Sequence, residues 1–286
     1  MKGILLAAGK GTRLYPMTLP LCKPLLPVYD KPLLYYPLAA LLQAGIDDIL
    51  IIIPPDEGEL FERLLGDGSR LGVHISYKVQ PIARGIADAF LIGEDFIGED
   101  SVCLVLGDNI FHEQHLPEKL ARARANTVGA TIFGYYVDDP RAFGVVEFDE
   151  NGRAISIEEK PRVPKSHYIV PGLYFYDNRV VEIAKELTPS ARGELEITDV
   201  NNEYLRRGEL NVVTLDEDFL WLDAGTADNL LVAGQAVKRA QDESGRYIAC
   251  LEEIAFSRGF ISAAQVHEQG LAQSKTLYGK YLMCIS

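Results

Sequence analysis

The sequence predicts an α/β fold with a Rossmann-like, mostly parallel central sheet and helices on both faces. Three observations predict it. Short apolar runs at residues 3–8, 48–53 and 101–106 are rich in branched side chains and read as buried strands, and residues 74–79 and 130–137 read as further strands. Stretches with helical spacing of apolar residues separate them, and strands joined by helical crossovers form a parallel sheet. Glycines or acids follow several of the runs, as at Gly9, Gly11 and Asp108, and ligands of such sheets bind at the carboxyl ends of the strands.

The first run breaks into Gly9-Lys10-Gly11-Thr12-Arg13. Two glycines one residue apart let the backbone approach a ligand and aim successive N–H groups at it. Arg13 adds a planar cation suited to phosphate, and Lys23 follows ten residues later. Residues 18–30 are proline-rich and read as a long ordered loop over the strand ends. Pro32 is expected to open a helix that runs through Ala44 and stops at Gly45. A second helix is expected over 56–65, closed by Gly66. The loop Gln80-Pro81-Ile82-Ala83-Arg84-Gly85 follows the third strand, and residues 86–96 have helical spacing. The fourth strand ends in Gly107-Asp108-Asn109, and 117–126 reads as helix. The carboxyl-end rule puts residues 9–13, 80–85 and Asp108 on one edge.

The texture changes after Phe143. Residues 145–148 and 154–158 flank Asp149-Glu150-Asn151-Gly152, a hairpin signal. A strand is expected at 168–176, a helix at 179–187, a helix capped by Thr198 and reaching Arg207, and a strand at 211–215. The segment 218–225 is compact, 227–242 reads as a long helix, and the last forty residues read as helical, with Ser262 as a cap.

The 286 residues can bury a large core, and a formal charge of −13 argues against nucleic acid or an anionic membrane as partner. Cys22, Cys103, Cys250 and Cys284 are scattered, without a CxxC pair, and read as buried free thiols. The first residues lack the pattern of a signal peptide, and no apolar stretch is long enough for a bilayer span. The expected location is the cytoplasm.

Asp108 follows a glycine at the end of a buried strand, and Asp223 stands in a similar setting between Trp221-Leu222 and Ala224-Gly225. Either alone reads as a turn former. Beside a phosphate-type glycine loop they suggest a divalent-metal pair, because Mg²⁺ is usually held by one or two carboxylates plus substrate phosphates. Lys160 and Arg192 are the further cations of interest, in Glu158-Glu159-Lys160-Pro161 and Ser190-Ala191-Arg192-Gly193-Glu194. The glycine motif is neither Walker A nor G-x-G-x-x-G, since Leu14 stands at the third glycine. No Ser/His/Asp arrangement is visible.

Residues 9–16 (GKGTRLYP) and 23–32 (KPLLPVYDKP), followed by Val105-Leu106-Gly107-Asp108-Asn109, Phe143-Gly144-Val145-Val146-Glu147-Phe148, Glu158-Glu159-Lys160-Pro161, residues 192–199 (RGELEITD) and Trp221-Leu222-Asp223, resemble the sugar-phosphate nucleotidylyltransferases, in their long bacterial form. The resemblance covers essentially the whole chain. It implies a nucleotide-diphospho-sugar transferase fold with a catalytic domain over 1–242, a small β-rich sugar-binding part near 143–225, and a helical extension over 243–286 for assembly and regulation. It implies Mg²⁺-dependent in-line transfer of a thymidylyl group from dTTP to α-D-glucose 1-phosphate, giving dTDP-glucose and pyrophosphate. That reaction opens the route to dTDP-deoxysugars such as dTDP-rhamnose. It also implies a homotetramer with a dTDP-sugar effector site at subunit contacts.

By the same resemblance Leu6, Ala8, Gly9, Gly11, Thr12, Arg13, Gln80, Gly85 and Asp108 contact the nucleotide. Lys23 faces the departing pyrophosphate, and Asp108 and Asp223 hold Mg²⁺. Asn109, Gly144, Glu159, Lys160, Val170, Tyr174 and Arg192 contact the sugar phosphate. The chain departs from the family pattern at Ala8, where a glycine is usual, at Ala83 and Arg84 in the QPxPxG loop, at Ser257, where an arginine is common, and at Gln114, where a histidine is common. The rival readings are a UTP-using or other hexose-1-phosphate enzyme, and a catalytically inactive regulatory subunit of the same fold.

Overall fold

The computed structural model describes residues 1–113, 115–216 and 219–285, so the departure at Gln114 and the start of the 218–225 segment lie outside the described residues. In chain order the elements are β1 (Lys2–Leu6), β2 (Pro27–Val28), β3 (Lys31–Pro32), α1 (Tyr35–Gln43), β4 (Asp48–Ile53), α2 (Gly58–Leu65), β5 (His74–Val79), α3 (Asp88–Ile92), α4 (Glu94–Ile97), β6 (Val102–Leu106), β7 (Asn109–His112), α5 (Leu116–Ala125) and β8 (Ala130–Tyr136). There follow β9 (Gly144–Phe148), β10 (Ala154–Glu159), β11 (Tyr168–Ile169), β12 (Leu173–Tyr176), α6 (Val180–Glu186), α7 (Ile197–Arg206), β13 (Leu210–Thr214), β14 (Leu220–Asp223), α8 (Ala227–Ser244), α9 (Leu251–Ser257), α10 (Ala263–Ala272) and α11 (Leu277–Cys284).

The strands expected at 3–8, 48–53, 74–79 and 101–106 form the parallel half of a ten-stranded sheet, in the order β6-β1-β4-β5. β4 and β6 are apolar almost throughout because both faces are covered, whereas β5, at the sheet edge, carries His74, Ser76 and Lys78. Leu5, Ile49, Ile51, Cys103 and Val105 pack with α1, α5 and the tail helices, while their neighbours Ile4, Leu50, Ile52, Val102 and Leu104 pack with α3, α6 and α7. Alternate residues of one strand thus serve two cores.

Past β6 the sheet departs from a plain parallel array. β12 is inserted antiparallel between β6 and β8, while β13 runs parallel to β8. The strand expected at 168–176 is two strands, because Pro171 has no N–H for a ladder. β11 pairs with β8 and β9, and β12 moves over to β6. The expected hairpin forms as β9 and β10 and continues the same sheet. Asp149 closes its turn by accepting from the N–H groups of Asn151 and Arg153.

Other expectations are corrected. Pro32 does not open a helix but lies in β3, opposite Pro27. The helix begins at Tyr35, with Pro37 in the first turn, where a missing N–H costs nothing. Residues 86–96 form two short helices divided at Gly93, where a Cβ would stand 2.9 Å from Ile4. Thr198 is not a cap: α7 starts at Ile197, after Glu196. Cys284 is exposed, unlike the other three cysteines, and all four are free thiols. Ser262 does cap its helix, in a capping box with Gln265.

β7 was not foreseen. It pairs antiparallel with β14 and sets Asp223 opposite Asn109. This two-stranded ribbon brings the distant carboxylate to the end of β6. Gly107 makes the turn between β6 and β7 possible: its N–H donates to Leu6 O at 2.8 Å, and an added Cβ would lie 2.9 Å from that oxygen and 3.0 Å from Ala7 Cα. Gly107→Ala is expected to destabilise the protein by roughly 1–3 kcal/mol, the usual cost of overpacking, measurable by urea unfolding.

Candidate active site

The strand ends converge on a cluster of three charged side chains. Gly11 has φ 63°, and a Cβ there would lie 2.9 Å from Lys23 Cβ and 3.0 Å from Thr18 Cγ2. Glycine therefore serves two needs, a left-handed turn and the packing of the proline-rich loop onto it. Thr18 Oγ1 donates to Gly11 O at 2.7 Å and ties the loop down. Lys23 is driven inward and is 5% exposed. Its ammonium lies 2.5 Å from Asp108 Oδ2 and 3.6 Å from Asp223 Oδ1. Asn109 steadies Asp108 by donating Nδ2–H to its Oδ1 at 2.8 Å, and itself accepts from Trp221 Nε1–H at 2.7 Å.

Burial pushes the Asp223 carboxyl above the usual carboxylate range, and the charge of Asp108 adds to this, while Lys23 and Arg13 oppose it. Two carboxylates brought together from separate elements suit a divalent cation, with Lys23 and Arg13 beside them as counter-charges. Among the described residues no group of three or more His, Cys, Asp or Glu gathers as a metal cage. The donor set therefore fits an ion completed by substrate phosphates rather than one held by protein alone.

A raised folded-state pKa means that the ionised carboxyl opposes folding at neutral pH, and that this cost vanishes once the pH is below the unfolded value. Asp223→Asn is accordingly expected to be more stable than the parent at pH 7–8. The difference should shrink as the pH falls through the raised pKa toward the ordinary range, and thermal unfolding across pH measures it.

Beside the cluster opens a cavity of about 440 Å³. Arg13, Asp108, Asn109, Gly144, Glu159, Lys160, Val170, Tyr174 and Asp223 all line it, so it gathers half of the expected site, including all of the expected sugar-phosphate contacts but Arg192. Glu159 is the centre of its far wall. It accepts from Thr198 Oγ1–H at 2.5 Å and lies 3.6 Å from the Lys160 ammonium and 3.3 Å from Arg192. Gly144 permits this meeting, since a Cβ there would stand 3.1 Å from Thr198 Oγ1 and 3.4 Å from Glu159 Oε2. Lys160 holds φ 44°, a left-handed conformation costly for a lysine, with its N–H donated to Phe143 O at 2.9 Å. Burial, with Glu159 and Asp108 nearby, pushes the Tyr174 hydroxyl well up and keeps it a neutral donor.

Arg192 is not a lining residue. Its guanidinium is held by Glu196 at 2.8 Å, by Glu159, and by Glu194 at 3.3 Å. Of the expected nucleotide contacts, Leu6, Ala8, Gly9, Gly11, Thr12, Gln80 and Gly85 also lie outside the cavity lining. Gly9 is open, with nothing within 4 Å of an added Cβ, whereas Ala8 is buried in the core beneath. Gln80 is buried and donates Nε2–H to Asp88 at 2.8 Å, and Arg84 pairs with the other oxygen of Asp88 at 2.7 Å. Gly85, at φ 104°, lies against Leu195, whose O would be 2.4 Å from a Cβ.

Sequence reasoning missed Thr198, Trp221, Ile86 and Phe143 as lining residues. A signal existed for two of them: Thr198 stands inside the RGELEITD block, and Trp221 is the sole tryptophan, two residues before Asp223.

Residues 2–240 match the family model described as nucleotidyl transferase. A glucose-1-phosphate thymidylyltransferase of Neisseria meningitidis is 56% identical over 99% of this chain and 98% of its own length. One from Mycolicibacterium smegmatis is 53% identical over 99% and 98%. Among solved structures, a Bacillus anthracis protein crystallised with sucrose and assigned as a glucose-1-phosphate thymidylyltransferase superposes with TM-score 0.77. It is 44% identical, covering 82% of this chain and 94% of its own. A UDP-glucose pyrophosphorylase bound to UDP-glucose shares the fold at TM-score 0.72 and 24% identity, over 84% of this chain and 98% of that one. With the family match running from the first strand into α8 and the paired carboxylates at the mouth of the cavity, this chain belongs to the nucleotidyl transferase family.

Proposed function

We propose that this chain transfers a thymidylyl group from dTTP to α-D-glucose 1-phosphate, giving dTDP-glucose and pyrophosphate. The observation that carries this reading is the Lys23–Asp108–Asp223 cluster at the mouth of a cavity whose far wall is Glu159 and Lys160. The full-length kinship to thymidylyltransferases supports the choice of substrates.

The nucleophile is a phosphate oxygen of the sugar phosphate, ionised near neutral pH with a second pKa of about 6. It attacks the α-phosphorus as the pyrophosphate departs on the opposite side. Such a nucleophile needs no general base, which fits a cavity with no histidine among the described residues that line it. Alignment and charge neutralisation do the catalysis. Arg13 neutralises the triphosphate, and the Lys23 ammonium follows the charge that accumulates on the leaving pyrophosphate. Lys160 and Arg192 hold the sugar phosphate and the α-phosphate. Glu159, fixed by Thr198, accepts from sugar hydroxyls, and Gln80 and Gly85 meet the base edge. Asp108 and Asp223 would hold Mg²⁺, which when bound supplies positive charge to the phosphate oxygens.

By family likeness we further assign the reaction to the opening of dTDP-deoxysugar synthesis in the cytoplasm, by a homotetramer with an effector site at subunit contacts. The catalytic domain is 1–242, and the helical extension serves assembly.

Pyrophosphate release measured over dTTP, UTP and several hexose 1-phosphates should give the highest kcat/KM with dTTP and glucose 1-phosphate. Equal turnover of every sugar phosphate would overturn the glucose assignment. Asp108→Asn should lower kcat at least a hundredfold, the scale of losing a major electrostatic contributor, with an unchanged circular dichroism spectrum. Parent-like turnover would refute its role.

A further inference from the structure

The Lys23 ammonium sits where the two carboxylates converge, and its side chain is only 7% exposed. It takes Asp108 Oδ2 and approaches Asp223 Oδ1, while Asp108 Oδ1 is engaged by Asn109. A metal ion joining both carboxylates would compete with the ammonium for Asp108 Oδ2 and for the space beside Asp223 Oδ1. The lysine's own base is immobile, because Cβ is packed against Gly11. Its flexible four-carbon stem leaves the ammonium as the part able to move.

We propose that Lys23 is a resident counter-ion that a divalent cation must displace, and that the nucleotide's polyphosphate draws the ammonium away. This rests on the reading of Asp108 and Asp223 as metal ligands. In the nucleotide-free protein the ammonium and the cation compete for the same oxygens, so the cation binds weakly. Once phosphate oxygens receive the ammonium, both carboxylates are released together. Nucleotide and cation then bind as a coupled pair, each raising the affinity for the other by the same factor. The lysine also keeps two half-buried like charges from facing each other unpaired.

The test is Mn²⁺ binding to the full-length, nucleotide-free protein, followed by loss of the free-ion electron paramagnetic resonance signal. Lys23→Met should bind Mn²⁺ at least tenfold more tightly than the parent, and Lys23→Arg, which keeps the charge, should not. Mn²⁺ should raise the Tm of Lys23→Met more than that of the parent. Should the methionine variant fail to fold, Lys23→Gln, which retains a hydrogen-bond donor for Asp108, makes the same comparison. Affinity equal to or weaker than the parent's in the neutral variants overturns displacement. In Lys23→Met/Asp223→Asn the gain should disappear. If the double variant binds as tightly as the single one, the ion is not on this carboxylate pair, and the metal assignment itself fails.

Discussion

The contact of one buried ammonium with two carboxylates is the constraint around which the site is built. Its three members come from separate places: a proline-rich loop, the end of β6, and a late strand. Each has a dedicated support. The Gly11 turn clamps the lysine's Cβ, Gly107 allows the chain to turn at Leu6, and the β7–β14 ribbon carries Asp223 to Asn109. The ribbon also places Trp221 to hold Asn109, which in turn orients Asp108, so both carboxylates are positioned by one pairing.

A chain with a formal charge of −13 is an unpromising receptor for a triphosphate unless its cations are local. Locality is achieved by spending acids on bases. Arg192 is braced by Glu159, Glu194 and Glu196, Lys160 lies beside Glu159, and Lys23 is held by two aspartates. Each cation is thus fixed in place by carboxylates near the cavity. A phosphate arriving there competes for cations already aimed, of which Lys23 is also desolvated, and exchanges one anionic partner for another. The cavity is therefore electrostatically poised without being strongly positive.

The parallel strands were legible because a strand covered on both faces is apolar at every position, a signal contained within five or six residues. β4 appears with the expected bounds for that reason; β5 also has the expected bounds, although it is an edge strand that carries His74, Ser76 and Lys78. What escaped depends on partners distant in sequence. Residues 109–112 look like a loop entry and become a strand only because β14 pairs with them. The break at Pro171 follows from the missing N–H, yet its effect, a strand changing neighbours within the sheet, is set by β6 and β8. Thr198 has the composition of a cap, but the helix begins a residue earlier and the hydroxyl is drawn to Glu159. The charged residues of the site were legible as chemistry, whereas the assignment of partners, above all Lys23 to both aspartates, required the fold.

The loop over residues 80–85 shows how a departure from a family pattern can be absorbed. Where the pattern has proline, this chain has Ala83, followed by Arg84. Proline would stiffen the loop by restricting φ, which lowers the entropy lost on folding. Here the stiffness has another source. Asp88, almost wholly buried, takes Gln80 on one oxygen and Arg84 on the other. The backbone is pinned as well, since Leu195 donates its N–H to Arg84 O at 2.7 Å and accepts from Ala87 at 3.2 Å. Because Asp88 can only accept when ionised, it requires the amide nitrogen of Gln80 to face it, and the amide's orientation is fixed by chemistry. The same backbone bonds join this loop to the segment bearing Arg192, so the elements proposed to meet the base and the sugar phosphate form a single rigid support. A substitution that loosened one would loosen the other.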